Sequence, residues 1–172
     1  EYYGGGSVFD RNQMNLRHPV PEDVARWYIR DIARGVMALH ARGIIHGDLK
    51  LENALVSCKG SIGLIDLGSS KEYTDRSDGV ITSRRGGTPL FQAPEILLEK
   101  GPYNGKAADV YALGTCLYTL LFSKTPYEAE CISDLLCLVR QDGVTIPDHP
   151  QVSSKALALI RGLLDHDPQR RM

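Results

Sequence analysis

The stretch HGDLKLEN at residues 46–53 is the most informative part of the sequence, because it places Asp48, Lys50 and Asn53 close together. Two short β-type runs follow at residues 54–57 and 62–65, and the intervening CKGS suits the turn of a small hairpin. The triplet Asp66-Leu67-Gly68 comes directly after the second run. Since a hairpin returns the chain, we expect Asp66 to face Asn53.

Helical patterns surround this region. Residues 21–42 carry an apolar stripe, with acids after Pro21 and with Gly43 as a C-terminal stop. Residues 106–122 are apolar on nearly every side, which predicts a buried central helix whose one acid, Asp109, must be paired or hydrogen-bonded. Two further helices are expected at residues 128–141 and 153–164, the second capped by Ser153 or Ser154.

These patterns predict a mainly α-helical α+β fold with one small hairpin. Residues 69–85 show no periodicity and are rich in Ser, Thr, Asp and Arg. We expect a long loop there, and loops of that length are usually functional. No repeat or linker divides the chain, so we expect a single domain.

Composition excludes several classes of protein. The 172 residues include 20 Lys and Arg against 21 Asp and Glu, so a formal net charge of -1 offers no general field for nucleic acid or an anionic membrane. The longest apolar stretch, residues 113–122, is much shorter than the roughly 20 residues of a membrane span. From the charge and the short apolar stretch we expect no nucleic-acid partner and no membrane span. The four cysteines lack CxxC spacing, so we expect reduced thiols and an intracellular, cytoplasmic protein.

Four segments, in order, resemble the eukaryotic protein kinase family. They are similar to its catalytic loop, its metal-binding triplet, its substrate-side P+1 loop and its central helix, and they lie at residues 46–53, 66–68, 87–95 and 109–114. One such triplet would be weak evidence, whereas four in this order form a specific signal. The resemblance implies a protein kinase-like fold, ATP and Mg²⁺ as cofactors, and transfer of the ATP γ-phosphate.

Phosphoryl transfer needs a carboxylate that orients the attacking hydroxyl, oxygen ligands for magnesium and a cation near the transferring group. By resemblance, Asp48 is the catalytic base and Lys50 contacts the γ-phosphate. Asn53 and Asp66 bind magnesium and, through it, the nucleotide. The alternative is that both acids are turn residues and Asn53 caps the hairpin.

Lys50 and Thr88 also indicate the kinase class, because serine/threonine kinases resemble this sequence at both positions and tyrosine kinases differ. We therefore expect a protein substrate with a Ser or Thr acceptor, and Thr88 hydrogen-bonding near Asp48 and Lys50 to complete the catalytic site. Thr88 as a simple turn residue before Pro89 is the alternative.

Residues 1–9 resemble the kinase hinge, where the Glu1 carbonyl and the Tyr3 amide would meet adenine. Ala54, Leu55 and Val56 would then form an apolar floor beneath it. On this alignment residues 10–172 are a C-terminal lobe that is incomplete at its end, and the N-terminal β lobe is absent. We therefore expect the fragment alone to be inactive and the full-length form to be the enzyme.

The resemblance also implies contacts that stabilise the fold. Glu95 should pair with Arg171, and His46 and Leu67 should stack in the core above Asp109, which makes His46 a packed residue rather than an acid or base.

The sequence departs from the family at Gly47, where many kinases have an Arg that pairs with an activation-loop phosphate. Arg84 occupies the position where many kinases are phosphorylated, although Lys71 could meet a phosphate on Thr82 or Ser83. Activation-loop phosphorylation is therefore predicted not to be obligatory.

Within the family, residues 103–110, 146–150 and 164–168 look like the calcium/calmodulin-dependent kinase kinase group. Two other interpretations remain open. A pseudokinase that acts as a scaffold or nucleotide sensor is motivated by Gly47 and Leu67. A small-molecule phosphotransferase is disfavoured, because residues 87–95 are a peptide-substrate feature.

Overall fold

The computed structural model describes residues 4–11, 18–73, 79–81, 86–98, 101–141 and 143–172. Within them, the helices are α1 (Val8–Arg11), α2 (Glu22–His40), α3 (Pro94–Leu97), α4 (Gly105–Phe122), α5 (Ile132–Val139) and α6 (Ser154–Leu163). The strands are β1 (Ile44–Ile45), β2 (Ala54–Val56), β3 (Ile62–Leu64), β4 (Lys71–Glu72), β5 (Val80–Ile81) and β6 (Tyr103–Asn104). Short 3₁₀ turns span Leu51–Asn53, Leu67–Ser69 and Pro89–Phe91.

Helix α2 forms where the apolar stripe predicts it. Its buried face includes Tyr28, Ile32 and Val36, and acids occupy its first turn, where they favour the positive end of the helix dipole. Gly43 follows the helix with φ of 72°, a left-handed conformation that glycine adopts without a steric penalty. The predicted helix is therefore confirmed, with its ends slightly inside residues 21–42.

Helix α4 is the centre of the core, as expected from its apolar sequence. Asn104 caps it by accepting a hydrogen bond from the Ala107 amide at 3.1 Å. Most of its residues are buried, and it packs against α2, α6 and β1. The structure thus has a helical core into which the acid of α4, Asp109, projects with 2% exposure.

The strands form three antiparallel pairs rather than the single hairpin that was expected. The predicted hairpin is confirmed as β2 with β3, in the register Ala54 opposite Leu64. In addition, β1 pairs with β4 and β5 pairs with β6. Residues 69–85 are therefore not all loop, because backbone partners distant in sequence turn residues 71–72 and 80–81 into strands.

The predicted helix at residues 128–141 is wrong at its start, since α5 begins at Ile132. Cys131 is extended, with φ of -140° and ψ of 165°, and Leu135 and Val139 are the buried residues of the helix. No residue between 128 and 131 is buried, and Ala129 alone among them packs against an apolar cluster, which is too little to hold the segment in a helix.

A buried ion pair ties Arg171 to α3. The Arg171 guanidinium donates to the Glu95 carboxylate at 2.8 and 3.0 Å and to the Ala107 carbonyl at 2.7 Å. The expected pairing is confirmed. Nearby, Ser153 caps α6 by accepting from the Ala156 amide, which confirms the first of the two predicted caps. None of the helices in the described part of the chain is long and apolar enough to cross a membrane.

Candidate active site

In the catalytic-loop segment, residues 46–53, which follows β1, partly exposed and buried side chains alternate from Asp48 to Leu51. Leu49 and Leu51 are almost completely buried, at 1% and 0% exposure, and anchor the segment in the core. Asp48 and Lys50, which alternate with these leucines, are partly exposed and lie at the open rim of the loop. The order of apolar and polar residues therefore explains why these two side chains share one side of the loop.

Asp48, Lys50 and Thr88 form one hydrogen-bonded cluster. Asp48 Oδ1 accepts from the Thr88 backbone N–H at 2.7 Å and from its hydroxyl at 2.8 Å. Lys50 Nζ donates to Thr88 Oγ1 at 2.9 Å and lies 3.3 Å from Asp48 Oδ2. The expected hydrogen bonding of Thr88 near Asp48 and Lys50 is confirmed, although 40 residues separate Thr88 from Asp48.

This environment keeps Asp48 ionised. Burial acts to raise the pKa of its carboxyl group, but the two hydrogen bonds from Thr88 and the charge of Lys50 together outweigh that effect. The pKa therefore lies below its ordinary value, and the carboxylate is available at neutral pH to accept a hydrogen bond from a hydroxyl group.

Asn53 is held close to the same cluster. Its side chain is buried, and Nδ2 donates to the Asp48 carbonyl at 2.8 Å, which fixes the plane of the amide. The amide oxygen is then the end of the side chain that is suited to a cation.

Asp66 lies across the hairpin from Asn53. The Ile65 amide donates to the Asn53 carbonyl at 2.9 Å, which extends the β2–β3 pairing to the residue before Asp66. Asp66 itself is exposed and left-handed, with φ of 60° and ψ of 71°, and its carboxylate accepts from the Gly68 amide at 3.3 Å. An amide oxygen and a carboxylate on neighbouring strand ends are hard oxygen donors, so these residues fit magnesium chemically.

The segment that precedes α1 lies against β2. The Gly5 amide donates to the Val56 carbonyl at 3.0 Å, and the Val56 amide donates to the Gly6 carbonyl at 2.9 Å. The expected apolar floor of three residues needs correction, because Ala54 and Val56 are completely buried in the core and Leu55 alone is partly exposed. Glu1 and Tyr3, the two expected adenine contacts, lie outside the described residues.

His46 is a structural residue, as predicted. It is fully buried, its Nε2 lies 3.2 Å from the Ile65 carbonyl, and its Nδ1 lies 3.3 Å from the Asp48 amide. The expectation that Leu67 joins it in the core is wrong, since Leu67 is 45% exposed. Leu67 begins a 3₁₀ turn that follows the left-handed Asp66 and contains no buried residue.

The partner of the buried Asp109 was not foreseen from the sequence. Its carboxylate accepts from the backbone amides of His46 and Gly47 at 2.9 and 3.0 Å, and it lies 2.8 Å from His40 Nε2. An acid inside an apolar helix indicated that a partner exists. No local signal identified His40, because 69 residues separate it from Asp109.

Comparisons with known proteins give matches along the whole chain. A family model described as the protein kinase domain matches residues 1–172. The chain is 37% identical over its full length to the serine/threonine-protein kinase GRIK2 of Arabidopsis thaliana, and 39% identical over its full length to a probable serine/threonine-protein kinase of Dictyostelium discoideum. It is 35% identical over its full length to CBL-interacting protein kinase 30 of Oryza sativa subsp. japonica. It spans 41%, 24% and 35% of the lengths of these three relatives.

Proposed function

The chain belongs to the protein kinase family, and from that premise we propose that it forms the catalytic lobe of a serine/threonine protein kinase. The reaction is transfer of the γ-phosphate of ATP to a Ser or Thr hydroxyl of a protein substrate. The relatives named above are serine/threonine kinases by name, which supports this acceptor class.

The observation that carries the proposal is the cluster of Asp48, Lys50 and Thr88. An ionised carboxylate, a cation and a hydroxyl lie within 3.3 Å of one another at the rim of the catalytic loop. In the proposed reaction Asp48 orients the acceptor hydroxyl and receives its proton, while Lys50 stabilises charge on the transferring phosphoryl group. Thr88 is a catalytic-site residue that holds both side chains in place.

Asn53 and Asp66 are the proposed magnesium ligands. Bound magnesium would neutralise charge on the β- and γ-phosphates. Asn53 contributes a fixed amide, because its Nδ2 is already engaged by the Asp48 carbonyl. Leu55, together with Glu1 and Tyr3, is proposed to contact the nucleotide base, and the half-buried position of Leu55 on β2 is compatible with that role.

Independence from activation-loop phosphorylation is a second part of the proposal. Gly47 offers no side chain to pair with a phosphate, so the clamp between an arginine and a phosphate cannot be made from this position. Thr82, Ser83 and Arg84 lie outside the described residues. Phosphatase treatment of the whole protein should therefore leave its transfer rate within about twofold, and a complete loss of activity would contradict the proposal.

The grouping with calcium/calmodulin-dependent kinase kinases rests on residues 103–110, 146–150 and 164–168 and is kept as a proposal. An intracellular location is proposed on similar terms, and the four cysteines, none of which is in a disulfide, are compatible with a reducing compartment.

The test is transfer of labelled γ-phosphate by the whole protein to a library of Ser and Thr peptides in the presence of magnesium. Asp48→Asn and Asp66→Asn should each reduce the rate about 100-fold or more, because the first removes the base and the second a metal ligand. Asp148→Asn, at an exposed position in the loop before α6, is the matched control and should leave the rate unchanged.

Two results would contradict the proposal. A folded wild-type protein that binds magnesium-ATP but transfers no phosphate would support a scaffold or nucleotide sensor. Phosphorylation of a small molecule with no peptide turnover would support a small-molecule phosphotransferase.

A further inference from the structure

The catalytic loop is in direct backbone contact with the segment that follows Asp66. Gly47 has φ of 77°, and a Cβ placed on it would lie only 2.5 Å from the Ser69 carbonyl oxygen. Real Cβ atoms do not approach an oxygen that closely, so only glycine permits this contact. The position where the family often has an arginine is therefore filled by the backbone of a neighbouring segment.

Two more glycines continue this contact toward Thr88. A Cβ on Gly86 would lie 2.8 Å from Ser69 Oγ, and a Cβ on Gly87 would lie 2.8 Å from the Gly47 carbonyl oxygen. Both residues have positive φ, at 102° and 92°. Gly47, Ser69, Gly86 and Gly87 thus bring three chain segments together, and we call these four residues the glycine junction.

The junction is anchored on one side and leads to the catalytic cluster on the other. The Gly47 amide donates to the buried Asp109 carboxylate at 3.0 Å, which ties the junction to α4. Gly87 directly precedes Thr88, whose amide and hydroxyl both donate to Asp48. Gln92 Nε2 also donates to the Gly86 carbonyl at 2.9 Å and closes the segment on itself. A shift of a few tenths of an ångström at Gly87 is therefore passed to the residue that orients Asp48.

We propose that the glycine junction positions Thr88 against Asp48 by backbone packing. Gly47, Gly86 and Gly87 are then positioning residues for the transfer reaction. This inference rests on the proposed function and supplies a physical reason why a phosphate need not hold the substrate-side segment.

The chain contains matched controls for this proposal. Gly101 and Gly143 have φ of 103° and 89°, almost the same as Gly86 and Gly87, but a Cβ on either would meet no atom of the described residues within 4 Å. Alanine at all four positions suffers similar backbone strain, and only at Gly86 and Gly87 does it also collide with the junction. Comparing Gly86→Ala with Gly101→Ala, and Gly87→Ala with Gly143→Ala, therefore isolates the effect of the contact.

The experiment measures kcat and the KM for ATP in the whole protein, together with amide hydrogen exchange of the peptide covering residues 86–92. Gly86→Ala and Gly87→Ala should lower kcat about tenfold or more relative to their controls, with the KM for ATP within about twofold, because misplacement by a fraction of an ångström impairs alignment of the reacting groups. Exchange at residues 88–92 should increase only in these two variants.

A rescue variant separates positioning from general damage. Ser69→Gly removes the hydroxyl and the Cβ that an alanine at residue 86 would meet, at 2.8 and 3.1 Å. Combined with Gly86→Ala, it should restore kcat to within about threefold of Ser69→Gly alone. No such recovery is expected when Ser69→Gly is combined with Gly87→Ala, whose Cβ would meet the Gly47 carbonyl oxygen and Gln92 Nε2 rather than Ser69.

The outcomes distinguish the two proposals. Equal kcat and equal exchange in the junction variants and their controls would overturn the glycine junction while leaving kinase activity intact. A wild-type protein without transfer activity, whose exchange still rises only in Gly86→Ala and Gly87→Ala, would support the junction and reject the proposed function.

Discussion

Two acids that the sequence places on either side of one hairpin lie in very different surroundings. Asp48 belongs to the catalytic-loop segment, where Leu49 and Leu51 are buried and the carboxylate accepts two hydrogen bonds from Thr88. Asp66 begins the exposed turn at residues 66–69, where one backbone amide is bonded to its carboxylate at 3.3 Å. The first acid is positioned by Thr88, 40 residues away, and by the nearby Lys50, and the second by its own backbone conformation. Changes in the loop should therefore alter structure and chemistry together, and changes in the turn should alter chemistry alone.

Removal of either carboxylate tests this difference most strongly. Asp48→Ala and Asp66→Ala should each lower peptide phosphorylation by about 100-fold to 10,000-fold. Asp48→Ala alone should also destabilise the fold, by about 1 to 3 kcal/mol, because it leaves the donors of Thr88 unsatisfied beside Lys50. Transfer assays and urea denaturation of the whole protein measure both effects. Equal losses of stability in the two variants would remove the distinction.

The next largest expected effect is on stability, at two leucines whose side chains take no part in the proposed reaction. Leu49→Ala should cost about 2 to 5 kcal/mol, because it empties a fully buried position. Leu67→Ala should change the free energy of unfolding by less than about 0.5 kcal/mol, because its side chain is already 45% exposed. Denaturant midpoints at constant slope are the measurement. A large loss of unfolding free energy in Leu67→Ala would mean that the Leu67 side chain is packed against other residues.

Substitutions of Thr88 test how the Asp48 carboxylate is held in position. Thr88→Val keeps the shape and the backbone N–H donor but removes the hydroxyl that links Asp48 with Lys50. The kcat for peptide should fall about tenfold, which corresponds to roughly 1.4 kcal/mol and is typical of one hydrogen bond. Thr88→Ser, which retains the hydroxyl, is the control and should stay near the wild-type rate. Similar rates for valine and serine would show that the hydroxyl has no positioning role.

The smallest expected change in stability is at Glu22, a carboxylate outside both the catalytic-loop segment and the turn at Asp66. Glu22 accepts from the amide and the hydroxyl of Ser153, both at 2.8 Å, and these bonds hold its pKa below the ordinary value of 4.5. Its contribution to stability is therefore present above the unfolded-state pKa and is lost as the pH falls through the lower folded-state pKa.

Glu22→Gln should accordingly reduce stability by less than about 1 kcal/mol at pH 7, since the site is open to solvent. The difference from wild type should disappear in acid. Thermal unfolding between pH 7 and pH 3 is the measurement, and a difference that grows on acidification would contradict the lowered pKa.

The elements that the sequence predicted well are those whose signal is local and repeated. Helix α2 and the β2–β3 hairpin follow from periodicity and turn residues. The cluster of Asp48, Lys50 and Thr88 was expected from family resemblance, and its hydrogen bonds were found as described.

The features that were missed depend on distant partners. The two-residue strands β1 and β4 are too short to show a period, and they exist because Ile45 meets Lys71 across the loop. Leu67 has an apolar side chain that favours burial, but in the turn after the left-handed Asp66 it is 45% exposed. The start of α5 depends on which residues reach the core rather than on helix propensity, because propensity alone is a weak guide. In each case contacts with distant residues determine which of several locally allowed conformations the chain adopts.

The ion pair between Glu95 and Arg171 has a consequence for the order of events on the ribosome. The two residues are 76 positions apart, and at about 5 to 20 residues per second Glu95 is made roughly 4 to 15 seconds before its partner. During that interval its carboxylate cannot be buried without an uncompensated charge, a cost of about 3 to 5 kcal/mol. Helix α3 and the substrate-side segment before it should therefore dock only after Arg171 has been made. Pulse proteolysis of stalled nascent chains that end before and after Arg171 would detect this step as a gain of protection at α3.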